Sequence, residues 1–131
     1  MYQRSVLDNG LRILSNTMPH THSVSVGLFV GAGSRYEPDE IAGTTHFLEH
    51  LLFKGTKRWP TAQNISEAIE GVGGVMNAST DREITVYWSS VAKPHWQRAL
   101  SVLMDMVINP LLESQEMEKE RQVILEELRM T

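Results

Sequence analysis

Thr44-Thr45-His46-Phe47-Leu48-Glu49-His50-Leu51-Leu52-Phe53 carries a helical pattern between strand-like segments, and that mixture makes the chain an α+β protein. At about 100° per residue, His46 and His50 fall on one face of such a helix, one turn apart. Two imidazoles in that relation can ligate one metal ion without distorting the backbone. Glu49 flanks the pair and can reach a water on the same ion. One rigid element fixes all three, which suits a site that needs sub-ångström placement. With five His and twelve Glu in the chain, the pattern His-x-x-Glu-His arises by chance in about 2 of 100 such sequences. A third ligand elsewhere is needed to make it a site.

Upstream, Val6-Leu7 and Leu11 to Leu14 flank Asp8-Asn9-Gly10, and Asn-Gly is a tight-turn signal, so a β-hairpin is predicted. Val24, Val26, Leu28 and Val30 alternate with Ser25, Gly27 and Phe29, the period of two that marks a strand. Gly31-Ala32-Gly33-Ser34 ends it, and a loop containing Pro38 follows. Downstream, Thr61 is a candidate N-cap for a helix from Ala62 to Glu70 with Gly71 as its stop. Val75 to Thr80 and Ile84 to Val91 read as strands around Asp81-Arg82. Pro94 opens another helix, with Trp96, Leu100, Leu103 and Val107 as its apolar stripe and Asn109-Pro110 as its end. Ser114 opens a last helix.

The 131 residues are enough for one domain with a real core, and 41% hydrophobic with 21% charged residues lies in the globular range. The net charge is −4 and no run of Lys or Arg occurs, so nothing favours a nucleic-acid surface. There is no cysteine, which excludes disulfides, thiolate zinc sites and cysteine nucleophiles. Any metal must be held by nitrogen and oxygen. No apolar stretch approaches the roughly 20 residues that cross a bilayer, and no apolar signal core follows Met1-Tyr2-Gln3-Arg4. A cytoplasmic protein without membrane or nucleic-acid partners is the expectation.

The last helix bears on the third ligand. A hydrolytic zinc site takes three protein ligands and keeps a position open for water. With two His and no Cys, the third is another His or a carboxylate. Glu120 and Glu127 are seven residues apart and project within roughly 20° of each other, with Met117, Ile124 and Leu128 around them. Two carboxylates on such a face are costly to bury unless a positive group meets them, and a zinc ion would serve one of them. The competing reading is a solvated acidic helix, because Glu113, Glu116, Glu118 and Glu126 crowd the same segment. The helix reaches Thr131 without a Gly, Asn or Pro stop, so the sequence reads as a single domain over 1–131 that belongs to something longer.

Three motifs in order carry a family resemblance: His46-Phe47-Leu48-Glu49-His50-Leu51-Leu52-Phe53-Lys54-Gly55-Thr56, Gly73-Gly74-Val75-Met76-Asn77-Ala78-Ser79-Thr80, and Glu120-Arg121-Gln122-Val123-Ile124-Leu125-Glu126-Glu127. Together they closely resemble the pitrilysin-type metallopeptidases, the inverzincins, which include insulin-degrading enzyme and the mitochondrial processing peptidase. Bacterial processing-peptidase-like members look most similar. The resemblance runs from the Asp8-Asn9-Gly10 turn to the final helix. It implies a mainly antiparallel sheet with helices packed on one face. It implies a zinc cofactor (Zn2+) held by His46, His50 and Glu127, and two catalytic carboxylates: Glu49 as general base and Glu120 supporting the site from nearby. Asn77 and Ala78 match the edge strand along which extended peptide substrates lie, and a strand edge accepts such a peptide whatever its side chains.

The implied activity is zinc-dependent endopeptidase cleavage of unfolded or presequence-like peptides. Two neutral imidazoles and one carboxylate leave the zinc site net positive, which lowers the pKa of a bound water toward about 7. Glu49 then takes the proton and passes it to the leaving amine. Family members complete the chamber with Arg and Tyr groups from a later homologous domain, which nothing here supplies. The resemblance therefore also admits a non-catalytic structural or peptide-binding subunit, or a segment inactive without its partner domain. His20, His22 and His95 read as solvated or capping residues. The glycine clusters at 31–33 and 71–74 lack a phosphate-loop ending. The methionines and Trp59, Trp88 and Trp96 read as structural.

Overall fold

The computed structural model describes residues 2–130. Strands β1 (Tyr2–Val6) and β2 (Arg12–Asn16) form an antiparallel hairpin. Its turn is closed by Leu7 N–H to Leu11 O at 2.8 Å, Gly10 takes φ +91°, and Asn9 Oδ1 accepts from Leu11 N–H. The hairpin is a sheet of its own, and every residue of both strands is exposed.

The main sheet has three antiparallel strands, β3 (Ser23–Val30), β4 (Val75–Thr80) and β5 (Thr85–Ala92), in the order β3-β5-β4. The alternation read in the sequence sets its two faces. Val24, Val26, Leu28 and Val30 turn inward while Ser23, Ser25, Gly27 and Phe29 lie outside. On β5 the inward set is Thr85, Tyr87, Ser89 and Val91, and on β4 it is Met76, Ala78 and Thr80. Register pairs Leu28 with Tyr87 and Tyr87 with Ala78, so one inward row crosses all three strands.

Helices α1 (Thr44–Leu52), α2 (Ala62–Glu70) and α3 (Trp96–Ile108) cover this inner face. The core gathers Leu52, Ile65, Ile69, Tyr87, Val102, Leu103 and Met106, with Val26, Leu28 and Val30 packed against it. Helix α2 starts at a capping box in which Thr61 Oγ1 accepts from Asn64 N–H and Asn64 Oδ1 accepts from Thr61 N–H. The stripe expected on α3 holds at Leu103, which is buried, and at Val107, which packs against the core, but not at Trp96. Ala99, Val102, Leu103 and Met106 are buried while Trp96 is 40% exposed. Apolar residues surround most of α3, so periodicity leaves the facing undecided, and the small Ala99 and Val102 let the helix approach the sheet. Trp88 also stands partly in solvent, on the outer face of β5.

Helix α4 (Ser114–Met130) packs on α1. Its one fully buried residue is Glu120, whereas Met117 and Leu128, placed on the same face by the sequence, remain exposed. No helix among the described residues is long and apolar enough to cross a membrane.

A loop from Lys54 to Pro60 joins α1 to α2 and is sewn to the end of α3. Lys57 N–H donates to Asn109 O at 3.1 Å, Leu111 N–H donates to Gly55 O at 3.1 Å, and Thr56 bridges Pro110. Buried Asp105 holds this seam, with Oδ2 accepting from Arg58 N–H at 3.0 Å and Oδ1 from Asn109 Nδ2 at 2.9 Å. Burial raises the pKa of Asp105, but hydrogen bonds from Thr56, Asn109 and Arg58 outweigh it and hold the carboxyl below its ordinary value. Asp105→Ala leaves these donors short of an acceptor, and urea unfolding is expected to show a loss of about 1–3 kcal/mol. An unchanged midpoint would mean that the seam does not contribute to stability.

Candidate metal centre

Helix α1 begins at Gly43, whose φ of +91° suits glycine. Its first N–H groups have no side-chain cap of their own. Glu37 supplies one from the preceding loop, accepting from Gly43 N–H at 2.8 Å and Thr45 N–H at 2.7 Å. The helix then presents His46 and His50 toward α4. Their Nε2 atoms lie 3.2 Å apart with the rings edge to face. Glu127 Oε2 stands 3.5 Å from His46 Nε2 and 3.7 Å from His50 Nε2.

Glu120 occupies the other side of His50, with Oε2 3.0 Å from Nδ1. An ionised carboxylate only accepts hydrogen bonds, so Nδ1 is the donor, and in a neutral imidazole Nε2 then keeps its lone pair toward His46 and Glu127. Burial pushes Glu120 upward most strongly, but hydrogen bonds and charge from Lys54 and His50 together bring its pKa below the ordinary value. The two carboxylates that the sequence left equivalent thus occupy different places. Glu120 is 5% exposed and engaged on both oxygens, by Lys54 and by His50. Glu127 is half exposed and faces the Nε2 pair.

The donor set can be tested against a cation. Zinc bonds of about 2.0–2.1 Å at tetrahedral angles set ligand atoms roughly 3.3 Å apart. The separations of 3.2, 3.5 and 3.7 Å among His46, His50 and Glu127 suit that geometry. A lone pair and a carboxylate converging on one point also call for a positive charge between them. These three are the group of potential ligands found together among the described residues. The donor types and their spacing fit a zinc ion.

Glu49 lies outside that group. Standing three residues after His46, its side chain turns toward β4, where it accepts a short hydrogen bond from Thr80 Oγ1. It shares an open cleft with Ser34, His46, Thr80, Asp81 and Arg82. Next to Ser34, Gly33 lets the backbone pass close to Asp81 and Arg82, where a Cβ would collide with their main chain. Beneath Glu49 is Tyr87, whose phenol is pushed up to about 12 by burial first and then by the Glu49 charge. On edge strand β4, the Asn77 side chain is outward and its Oδ1 accepts from Ala78 N–H at 2.8 Å, while Ala78 itself faces inward. His20, His22 and His95 are not part of the cluster.

Sequence reasoning missed Lys54, Thr80 and Glu37. Lys54 alone left a signal, because it stands four residues beyond His50, as His50 does beyond His46. Thr80 and Glu37 act across tertiary contacts that no local period encodes.

Two imidazoles and a carboxylate converging from two helices, beside a separate carboxylate in a cleft, form the arrangement of a hydrolytic metal site. Comparison with known proteins agrees in kind. Residues 12–131 match the family model described as Insulinase (Peptidase family M16). The chain is 41% identical over 130 residues to the zinc protease YmxG of Bacillus subtilis, covering 99% of this chain and 32% of that protein. It is 44% identical over 124 residues to a probable mitochondrial-processing peptidase subunit beta of Arabidopsis thaliana, covering 95% and 23%. A protease from Helicobacter pylori superimposes with a TM-score of 0.93 at 31% identity, over 99% of this chain and 31% of that one. This chain belongs to the insulinase family of peptidases, family M16. It spans about a quarter to a third of the length of these relatives.

Glu37 gives this region a pH signature. Hydrogen bonds from Thr45 and Gly43 hold its pKa below the ordinary 4.5. A depressed folded-state value adds stability that is present above the unfolded pKa and lost as pH falls through the folded one. Glu37→Gln should therefore be less stable than wild type at neutral pH, and the gap should close in acid well below 4.5. Urea titrations at the two pH values check this, and a gap that widens in acid would reject the cap.

Proposed function

We propose that this chain is the zinc-holding part of a metalloendopeptidase, with His46, His50 and Glu127 as ligands and Glu49 as general base. The observation that carries the reading is the convergence of three donor atoms from α1 and α4, at separations suited to one tetrahedral cation. A zinc ion held there would supply Lewis-acid chemistry toward a water and a scissile carbonyl. Glu49 accepts the water's proton as it attacks, then delivers it to the leaving amine. Thr80 donates to Oε2 of Glu49, which fixes the carboxylate's rotamer and leaves the other oxygen for the proton. Glu120 fixes the tautomer of His50 from behind.

The substrate is an extended peptide added along the edge of β4, unfolded or presequence-like, as the name of the processing-peptidase relative supports. Asn77 then has a definite part. Its amide occupies Ala78 N–H, and an incoming peptide carbonyl takes its place. A second homologous domain completes the chamber, in keeping with the greater length of the relatives.

Zinc content by mass spectrometry tests the centre. Wild type should carry one equivalent, and His50→Ala and Glu127→Ala should lose it. Full zinc in Glu127→Ala would reject the third ligand. In the full-length protein, Glu49→Gln should retain metal and abolish hydrolysis, so normal turnover there would exclude Glu49 as base. Thr80→Val should lower kcat by about 10-fold or more at unchanged zinc content, with Thr80→Ser restoring it. Equal kcat in the valine variant would remove Thr80 from the mechanism.

A further inference from the structure

Lys54 has no part in the chemistry above, yet its ammonium is the group on the far oxygen of the buried carboxylate behind His50. Its Nζ stands 2.5 Å from Glu120 Oε1, while His50 Nδ1 takes Oε2 at 3.0 Å. The chain brings Lys54 there by design of the loop. Lys54 N–H donates to Leu51 O at 3.0 Å in a tight turn just past the end of α1. Gly55 then turns the backbone away with φ +152°, where a Cβ would lie 2.3 Å from Pro60 O. Gly55 O in turn accepts from Leu111 N–H on the approach to α4. The loop thus sets the heights of Lys54 and Glu120 together.

We infer that Lys54 is a positioning residue that holds His50 in its Nδ1–H tautomer by pinning Oε1 of Glu120. A carboxylate tied by one donor can turn about its last torsion or swing toward water. Tied by two, it offers a fixed oxygen to His50. Glu120 is 5% exposed, so removing the ammonium leaves a buried anion with one neutral donor, which is a costly state. The carboxylate then leaves its place behind His50, and Nε2 no longer keeps its lone pair aimed at His46 and Glu127. A purely cross-linking role for Lys54 would stiffen α1 against α4 without selecting a tautomer. The inference rests on the proposed zinc reading only for its consequence on affinity, since the tautomer itself belongs to the metal-free chain.

The test uses the chain with Lys54→Met, which keeps most of the apolar stem, and Lys54→Arg, which restores a charged donor. Nitrogen-15 NMR of the imidazoles in metal-free protein reads the tautomer, and zinc titration against a competing chelator reads affinity. Lys54→Met should move His50 away from the Nδ1–H form and weaken zinc binding about 10- to 100-fold, and Lys54→Arg should recover most of both. A His50 spectrum unchanged in the folded Met variant would overturn the inference, as would wild-type zinc affinity in it. If the Met variant does not fold, Lys54→Gln makes the same tautomer comparison with a shorter, uncharged donor. Should wild type and His46→Ala bind zinc alike, the zinc reading fails, and the His50 spectrum still decides the role of Lys54.

Discussion

Helix α4 docks on α1 through a buried carboxylate, and the arrangement of the site depends on that contact. An amphipathic helix ordinarily finds its place by burying an apolar stripe. Here Met117, Val123, Leu125 and Leu128 remain substantially exposed, and Glu120 alone is fully buried. Desolvating a carboxylate costs several kcal/mol, so the contact forms only where Lys54 and His50 meet both oxygens. That requirement specifies height and rotation better than a greasy seam would. Seven residues further on, nearly two full turns, Glu127 arrives beside the Nε2 atoms because Glu120 has already fixed the helix.

The same contact explains why two carboxylates on one helical face are not interchangeable. From the sequence, either could meet a cation. In the structure Glu120 lies behind the His50 ring with both oxygens engaged, while Glu127 keeps an oxygen toward the two imidazoles. Glu49 is separated from both by the pitch of α1. At about 100° per residue it points roughly 60° away from His46 and 100° from His50, toward β4 and Thr80. Three carboxylates within one small region thus have three different neighbours, and the difference comes from helix geometry rather than from residue type.

Much of this was legible in the chain because it is local. The hairpin turn at Asn9-Gly10, the alternation of β3, and the span of α2 from its Thr61 cap to Glu70 all rest on interactions within a few residues. The i,i+4 pairing of His46 with His50 and the i,i+7 pairing of Glu120 with Glu127 are local in the same sense. What the sequence left open needed another element to decide it. On α3, Ala99 and Val102 join Leu103 in the core while Trp96 stays 40% exposed, a choice of face that the nearly all-round apolar helix does not encode locally. The face expected around Glu127 stayed wet, with Leu128 61% exposed beside it. Glu37, Thr80 and Asp105 work across gaps of many residues, and no period or cap signal marks them in advance.

Charge balance gives Lys54 a place in the energetics as well as in the geometry. A divalent cation held by Glu127 and two neutral imidazoles, as proposed, would keep one net positive charge, the condition for acidifying a water. Glu120 and Glu49 both stand close by, and two further unscreened anions would erode that charge. Thr80 meets Glu49 with a neutral donor, which leaves the carboxylate's charge uncompensated, as the proposed proton-accepting role needs. Lys54 meets Glu120 with a full positive charge, which removes the anion that has no proton to accept. The two carboxylates therefore have opposite partners, a neutral hydroxyl on Glu49 and an ammonium on Glu120, which suits the base proposed for the one and the positioning role proposed for the other.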